Sequence, residues 1–115
     1  GMRQTAVVCG ISMYPSLEDG DIIFYKKYLP NRTPLNKGDV VIFLHPLDNI
    51  KLIKRVSKIA KQGIEVSGDN KSFSKDSNTF GLIIKENILG IFSSKISRKI
   101  NLSNRSSNKN RSTFL

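Results

Sequence analysis

Lys37-Gly38-Asp39-Val40-Val41-Ile42-Phe43-Leu44-His45-Pro46-Leu47-Asp48-Asn49-Ile50-Lys51-Leu52-Ile53-Lys54-Arg55-Val56 is the stretch whose reading decides the fold. It opens on a turn, Lys37-Gly38-Asp39, and passes into five consecutive apolar residues, Val40 to Leu44. A short apolar run bounded by turn-formers reads as a core strand. His45-Pro46-Leu47-Asp48-Asn49 is the next turn. From residue 50 to residue 60 the chain alternates. Ile50, Leu52, Lys54, Val56 and Lys58 fall on one side, and Ile53, Arg55 and Ser57 on the other. A lysine therefore stands in the apolar row of a strand.

Outward from this stretch the pattern repeats. Lys61-Gln62-Gly63 is a hairpin turn and Ile64-Glu65-Val66 the returning strand. Upstream, residues 21–28 carry Ile22, Ile23, Phe24 and Tyr25, which are β-formers. Residues 29–36, with Pro30 and Pro34, form a loop, and Thr5 to Cys9 is a first strand. Downstream, residues 67–79 are a polar loop, residues 81–84 are short and extended, and Ile88-Leu89-Gly90-Ile91-Phe92 is the last strand. Short strands with frequent turn signals and no helical period predict an all-β domain. Internal repeats are absent.

The chain has 115 residues, enough for one small domain. Its net charge of +10 is uneven, because residues 93–115 hold six Lys/Arg and no acid. The expected organisation is a folded domain over 5–92 and a basic, disordered tail over 93–115. A basic tail can meet nucleic acid or an anionic surface. No nucleic-acid motif accompanies it, so no specific nucleic acid is expected. Cys9 is the single cysteine, which excludes an intrachain disulfide and fits a reducing, cytoplasmic setting. The apolar runs fall far short of the ~20 residues of a membrane span. Gly1 ahead of Met2 reads as a remnant of expression.

Gly10-Ile11-Ser12-Met13-Tyr14-Pro15-Ser16-Leu17-Glu18-Asp19-Gly20-Asp21 sets a serine among turn-formers. Pro15 fixes its own φ and moves Tyr14 away from the helical region, and Asp19-Gly20 is a turn. Ser12 is thus expected on a rigid irregular segment. A serine hydroxyl needs a base to become a nucleophile. A lysine can serve only when neutral, although its free pKa is about 10.4. Burial in apolar surroundings lowers that value, and Leu52 and Val56 beside Lys54 would supply such a wall. Taken alone, Ser12 is also an ordinary loop serine, and Lys54 an edge-strand lysine that discourages aggregation.

A third stretch, Gly68-Asp69-Asn70-Lys71-Ser72-Phe73-Ser74-Lys75-Asp76-Ser77, completes a set. From Val8 to Phe92 the chain resembles the type I signal peptidase family, serine proteases with a lysine general base. The Ser12 stretch is similar to that family's G-x-S-M-x-P-T-L-x-x-G-D, Lys54-Arg55-Val56 to its K-R-V, and the third stretch to its G-D-N-x-x-x-S-x-D-S. The resemblance implies a compact fold of coiled antiparallel sheets, shared with self-cleaving LexA-like repressor domains. It implies a Ser12/Lys54 dyad with no cofactor and no metal. It further implies that Ser74 orients Lys54, that Asp76 pairs with Arg55, and that Met13 packs beside the binding groove. The Ser12 N–H is the natural oxyanion donor. The place where some members carry a second, hydroxyl donor is here Gly10. The implied partner is a protein substrate with an N-terminal propeptide or signal peptide.

Members of that family are tethered by N-terminal helices, and no such anchor is seen here, which points to a soluble branch. The short form ending Asn78-Thr79-Phe80-Gly81 looks most like the branch that matures nickel-type superoxide dismutase, so a nickel superoxide dismutase precursor is an expected substrate. Three departures stand out. Ser57-Lys58-Ile59-Ala60 replaces the family's G-L-P-G-D, Ser16 replaces a threonine, and Asn78 replaces an arginine. Competing chemistries are less well supplied. His45 sits beside Pro46 in a turn, and Cys9 reads as core packing. Ser72-Phe73-Ser74-Lys75 lacks the helix start that an S-x-x-K motif needs. One histidine and one cysteine make a poor zinc site. A non-catalytic module that kept the fold, or a self-cleaving LexA-like module, are the alternatives from other classes.

Overall fold

The structure is a computed structural model that describes residues 3–71 and 82–97. Six strands, β1 (Arg3–Val7), β2 (Ile22–Lys27), β3 (Val40–Leu44), β4 (Lys51–Ala60), β5 (Gly63–Ser67) and β6 (Ile88–Ile96), form one sheet in the order β1-β2-β6-β3-β4-β5. Every pairing is antiparallel. A 3-10 turn at Lys85–Asn87 leads into β6, and the described residues contain no α-helix. The all-β reading holds. The strand order could not be read from the chain, because β6, the last strand, inserts between β2 and β3.

Both faces of the sheet are covered. Val40, Ile42 and Ile53 face a first core with Ala6, Val8, Met13, Leu17, Ile23 and Tyr25. Val41, Phe43 and Val56 face a second, with Tyr28, Ile64, Val66, Ile83 and Ile88. A strand covered on both sides is apolar at every position, which accounts for the unbroken run of β3. In β4 the alternation fails after Val56 because Val56 pairs with Val66 and Lys58 with Glu65, leaving Ser57 as an extra residue. The Ser57 hydroxyl donates to the Glu65 carbonyl at 3.1 Å across this bulge. Lys58 therefore does not continue the row of Lys54.

Two strand ends differ from expectation. β1 stops at Val7, and Cys9, expected in the core, is exposed in the loop beyond it. Val8 takes the buried position, at 3% exposure, so the next side chain faces out. β6 continues through Ser93, Ser94, Lys95 and Ile96, residues expected in the tail, because Ser94, Lys95 and Ile96 pair with Phe24, Ile23 and Ile22 of β2 beyond a register shift at Ser93.

Gly90 is required by a close approach. It is buried where β2, β3 and β6 meet, and a Cβ there would run into the Tyr25 ring and the Lys26 carbonyl. The ring fills the space that a side chain would occupy. Gly90→Ala is expected to cost about 1–3 kcal/mol, as overpacking in a filled core does, and to lower Tm in a thermal melt by several degrees. An unchanged Tm would show that the ring can move aside.

Candidate active site

Residues between Val8 and Asp21 form a loop whose ends are tied together. Val8 N–H donates to the Asp21 carbonyl and Gly20 N–H to the Val8 carbonyl, both at 2.8 Å. Inside it, Gly10 N–H donates to Asp19 Oδ1 at 2.7 Å and Glu18 N–H to Asp21 Oδ2 at 2.8 Å. Gly10 has φ +99°, a conformation that suits glycine. The Tyr14–Pro15 peptide is cis. Met13 and Leu17, at 1% and 2% exposure, root the loop in the first core. Met13 is thus a core residue under the serine. Ser12 sits half-buried at the first turn position, with its carbonyl accepting from Asn70 N–H at 2.9 Å and the preceding Ile11 carbonyl accepting from Asn70 Nδ2 at 2.9 Å.

The loop is joined to β4 by charge. Arg55 grips Asp69 with two parallel bonds, Nε to Oδ1 at 2.9 Å and Nη2 to Oδ2 at 2.8 Å, the fork geometry that only a guanidinium provides. Asp69 Oδ2 also accepts from Ser16 Oγ at 2.6 Å, and Arg55 Nη1 donates to the Gly38 carbonyl at 2.8 Å. Hydrogen bonding to Arg55 holds the Asp69 carboxyl below the usual carboxylate range, with Ser16 assisting against the desolvation that opposes it. The same bond raises the Arg55 pKa further. From β6, Lys95 Nζ donates to the Ser16 carbonyl at 3.0 Å and lies 3.5 Å from the buried Asp21 carboxylate.

Lys54 is the residue before Arg55 and projects to the opposite face. It pairs across strands with Val41 and shares the face of Leu52 and Val56, so its surroundings are those of the second core. Its exposure is 7%, and Lys54 and Asp21 are the buried charged side chains among the described residues. Burial pushes the Lys54 pKa below the ordinary lysine value of 10.5, since desolvation penalises the ammonium. Ser12 and Lys54 are connected through two adjacent residues: Asn70 holds the backbone of Ser12, and Asp69 holds Arg55, the neighbour of Lys54.

Ser74 and Asp76, the expected supports of Lys54 and Arg55, lie outside the described residues, as does Asn78. Within the described residues the guanidinium of Arg55 is engaged by Asp69. Asp69, Asn70, Ser16 and Lys95 are the residues that sequence reasoning left without roles. A signal for Asp69 existed. The β4–β5 hairpin pairs Arg55 with Ser67, and a carboxylate two residues past that partner can reach back to the arginine. His45 closes its own turn: Nδ1 accepts from Leu47 N–H at 3.0 Å and Asp48 N–H at 3.2 Å. Among the described residues no three His, Cys, Asp or Glu side chains converge as metal ligands would. No helix among them is long and apolar enough to cross a membrane.

The described residues thus place Ser12 on a loop clamped to an all-β sheet and Lys54 buried on a strand of that sheet. The family described as signal peptidase, peptidase S26, matches residues 2–68, more than half of the chain, and the chain belongs to that family. No curated protein matches the chain.

The fork predicts a pH dependence. Asp69 has a depressed folded-state pKa, so its contribution is present above the ordinary carboxyl value of 3.8 and is lost as pH falls through the folded value. Asp69→Asn should cost about 1 kcal/mol at neutral pH, discounted for screening of the partly exposed guanidinium. In urea titrations the gap between wild type and variant should narrow as pH falls below the ordinary carboxyl value of 3.8 and through the lower folded value. A gap that persists in acid would assign the effect to packing.

Proposed function

We propose that this chain is a serine endopeptidase in which Ser12 is the nucleophile and Lys54 the general base. One observation carries the reading: Lys54 is buried on an apolar strand face, and desolvation lowers its pKa. A lysine in that state gives up its proton more readily than a solvated one, as the base of a Ser-Lys pair must. Ser12 Oγ attacks the scissile carbonyl carbon while its proton passes to Lys54 Nζ. The oxyanion is received by the Ser12 N–H. The tetrahedral intermediate collapses, the amide C–N bond breaks, and the Lys54 ammonium returns a proton to the leaving amine. Water then attacks the acyl ester with Lys54 again taking a proton, which frees the new carboxylate and Ser12. Ser74, by its place in the third motif, orients Lys54.

The substrate is a protein with a short N-terminal extension, cut once. Ile11 and Tyr14, at 45% and 49% exposure on either side of Ser12, offer apolar contact to an extended chain. The motif set favours the propeptide of a nickel-type superoxide dismutase as the target, with the reaction in the cytoplasm. A second reading, cleavage of secretory signal peptides, is favoured by the family description itself.

Intact mass of a propeptide-bearing nickel superoxide dismutase tests both. Wild type should release one N-terminal fragment. Ser12→Ala and Lys54→Met should each lose about a thousandfold or more in rate, as removal of a nucleophile or its base does. Lys54→Met should melt no lower than wild type at neutral pH, because replacing a buried ionisable group with an apolar chain of similar size is neutral or stabilising. Cleavage surviving Ser12→Ala would end the mechanism. Cleavage of secretory precursors alone would move the substrate to the second reading.

A further inference from the structure

Asn70 is bonded to the chain on both sides of Ser12. Its side-chain Nδ2 donates to the Ile11 carbonyl at 2.9 Å, and its backbone N–H donates to the Ser12 carbonyl at 2.9 Å. A peptide unit is planar, so the Ile11 carbonyl and the Ser12 N–H belong to one rigid plate and point opposite ways. The Ser12 carbonyl belongs to the next plate. These two plates hinge at the Ser12 Cα, and their rotations about it are the φ and ψ of Ser12. Fixing both fixes the direction of the Ser12 Cα–Cβ bond, from which Oγ projects in a staggered rotamer, and of the Ser12 N–H together.

We propose that Asn70 is the positioning residue of this site, holding the nucleophile and its oxyanion donor in register through the two carbonyls that flank Ser12. The inference rests on the peptidase reading for its catalytic meaning, but the clamp itself is geometry. The Ile11 carbonyl also accepts from Tyr14 N–H at 3.2 Å. That bond closes a turn within the loop and ties the first plate only to its own segment. Asn70 ties it to the sheet, because Asp69 beside it is gripped by Arg55 of β4. The path from β4 to the Ser12 N–H therefore runs through Arg55, Asp69 and Asn70, and the last link is a single side-chain amide. A donor must be preorganised to stabilise an oxyanion without reorganisation cost. Losing this link should lower the rate of the chemical step and leave folding intact, since the backbone bond from Asn70 to Ser12 remains.

Asn70→Ala tests this, with Ser12→Ala as the blank and p-nitrophenyl acetate as the acyl donor. Acetyl addition at Ser12, with release of p-nitrophenol, is followed by intact mass and peptide mapping, and the Ile11 carbonyl 13C shift by NMR. Acetylation should fall about tenfold to a hundredfold, a part of the effect of deleting an oxyanion donor. The Ile11 carbonyl shift should move, with Tm within about two degrees of wild type, less than a ~1 kcal/mol change would give. Should Asn70→Ala fail to fold, Asn70→Asp, of the same shape with an acceptor in place of the donor, carries the same expectation. Acetylation within twofold of wild type overturns the proposal, as does a loss that tracks a lowered Tm. If wild type is not acetylated at Ser12, the peptidase reading fails separately, and an unmoved Ile11 carbonyl shift then overturns the clamp.

Discussion

The pairing of Lys54 with Val41 is the constraint on which this site depends. In a strand, adjacent residues face opposite ways, and the β3–β4 register sends Lys54 to the second core and Arg55 towards Asp69 and the serine loop. A slip of one residue would exchange them. Arginine would then be buried, and a guanidinium does not give up its proton. Lysine would meet Asp69 and lose the two-pronged grip on it. The dipeptide Lys54-Arg55 thus carries two unlike tasks, one needing desolvation and one needing a charged fork, and a strand is the element that can separate them by a single residue.

Burying Lys54 has a cost, and the fold bears it through the surrounding apolar surface. Val41, Phe43, Val56 and Val66 are each at most 1% exposed, and the sheet is covered on both faces, so the ammonium is poorly solvated. Such desolvation favours the neutral form and lowers the pKa. The serine loop is held differently. Its end is closed by backbone bonds at Val8 and Asp21, its underside is rooted by Met13 and Leu17, and its outer side is tied by polar groups from β4, β6 and the Asp69-Asn70 corner. Apolar contacts set where the loop lies, and hydrogen bonds set how Ser12 is turned.

Much of this was legible in the chain. The unbroken run Val40 to Leu44 and the alternation around Lys54 predicted a core strand and a second strand, and both are present, paired antiparallel. The turn-formers around Ser12 predicted an irregular rigid segment. What was not legible has physical reasons. Insertion of β6 between β2 and β3 is a long-range pairing with no local signature. The Ser57 bulge breaks the period that sequence reading relies on, so Lys58 was placed on the wrong row. Cys9 looked apolar by its neighbours, but β1 ends at Val7 and the chain turns before it. The Arg55–Asp69 fork was missed because roles were assigned by motif position, whereas the hairpin register, once known, places residue 69 within reach.

The central claim is that Lys54 is a lysine made available as a base by burial, and its own titration tests that most directly. Following the Lys54 Cε or Nζ resonance with pH in the intact chain should show a pKa below the ordinary 10.5. Titration of Lys54 at or above that ordinary value would contradict the account.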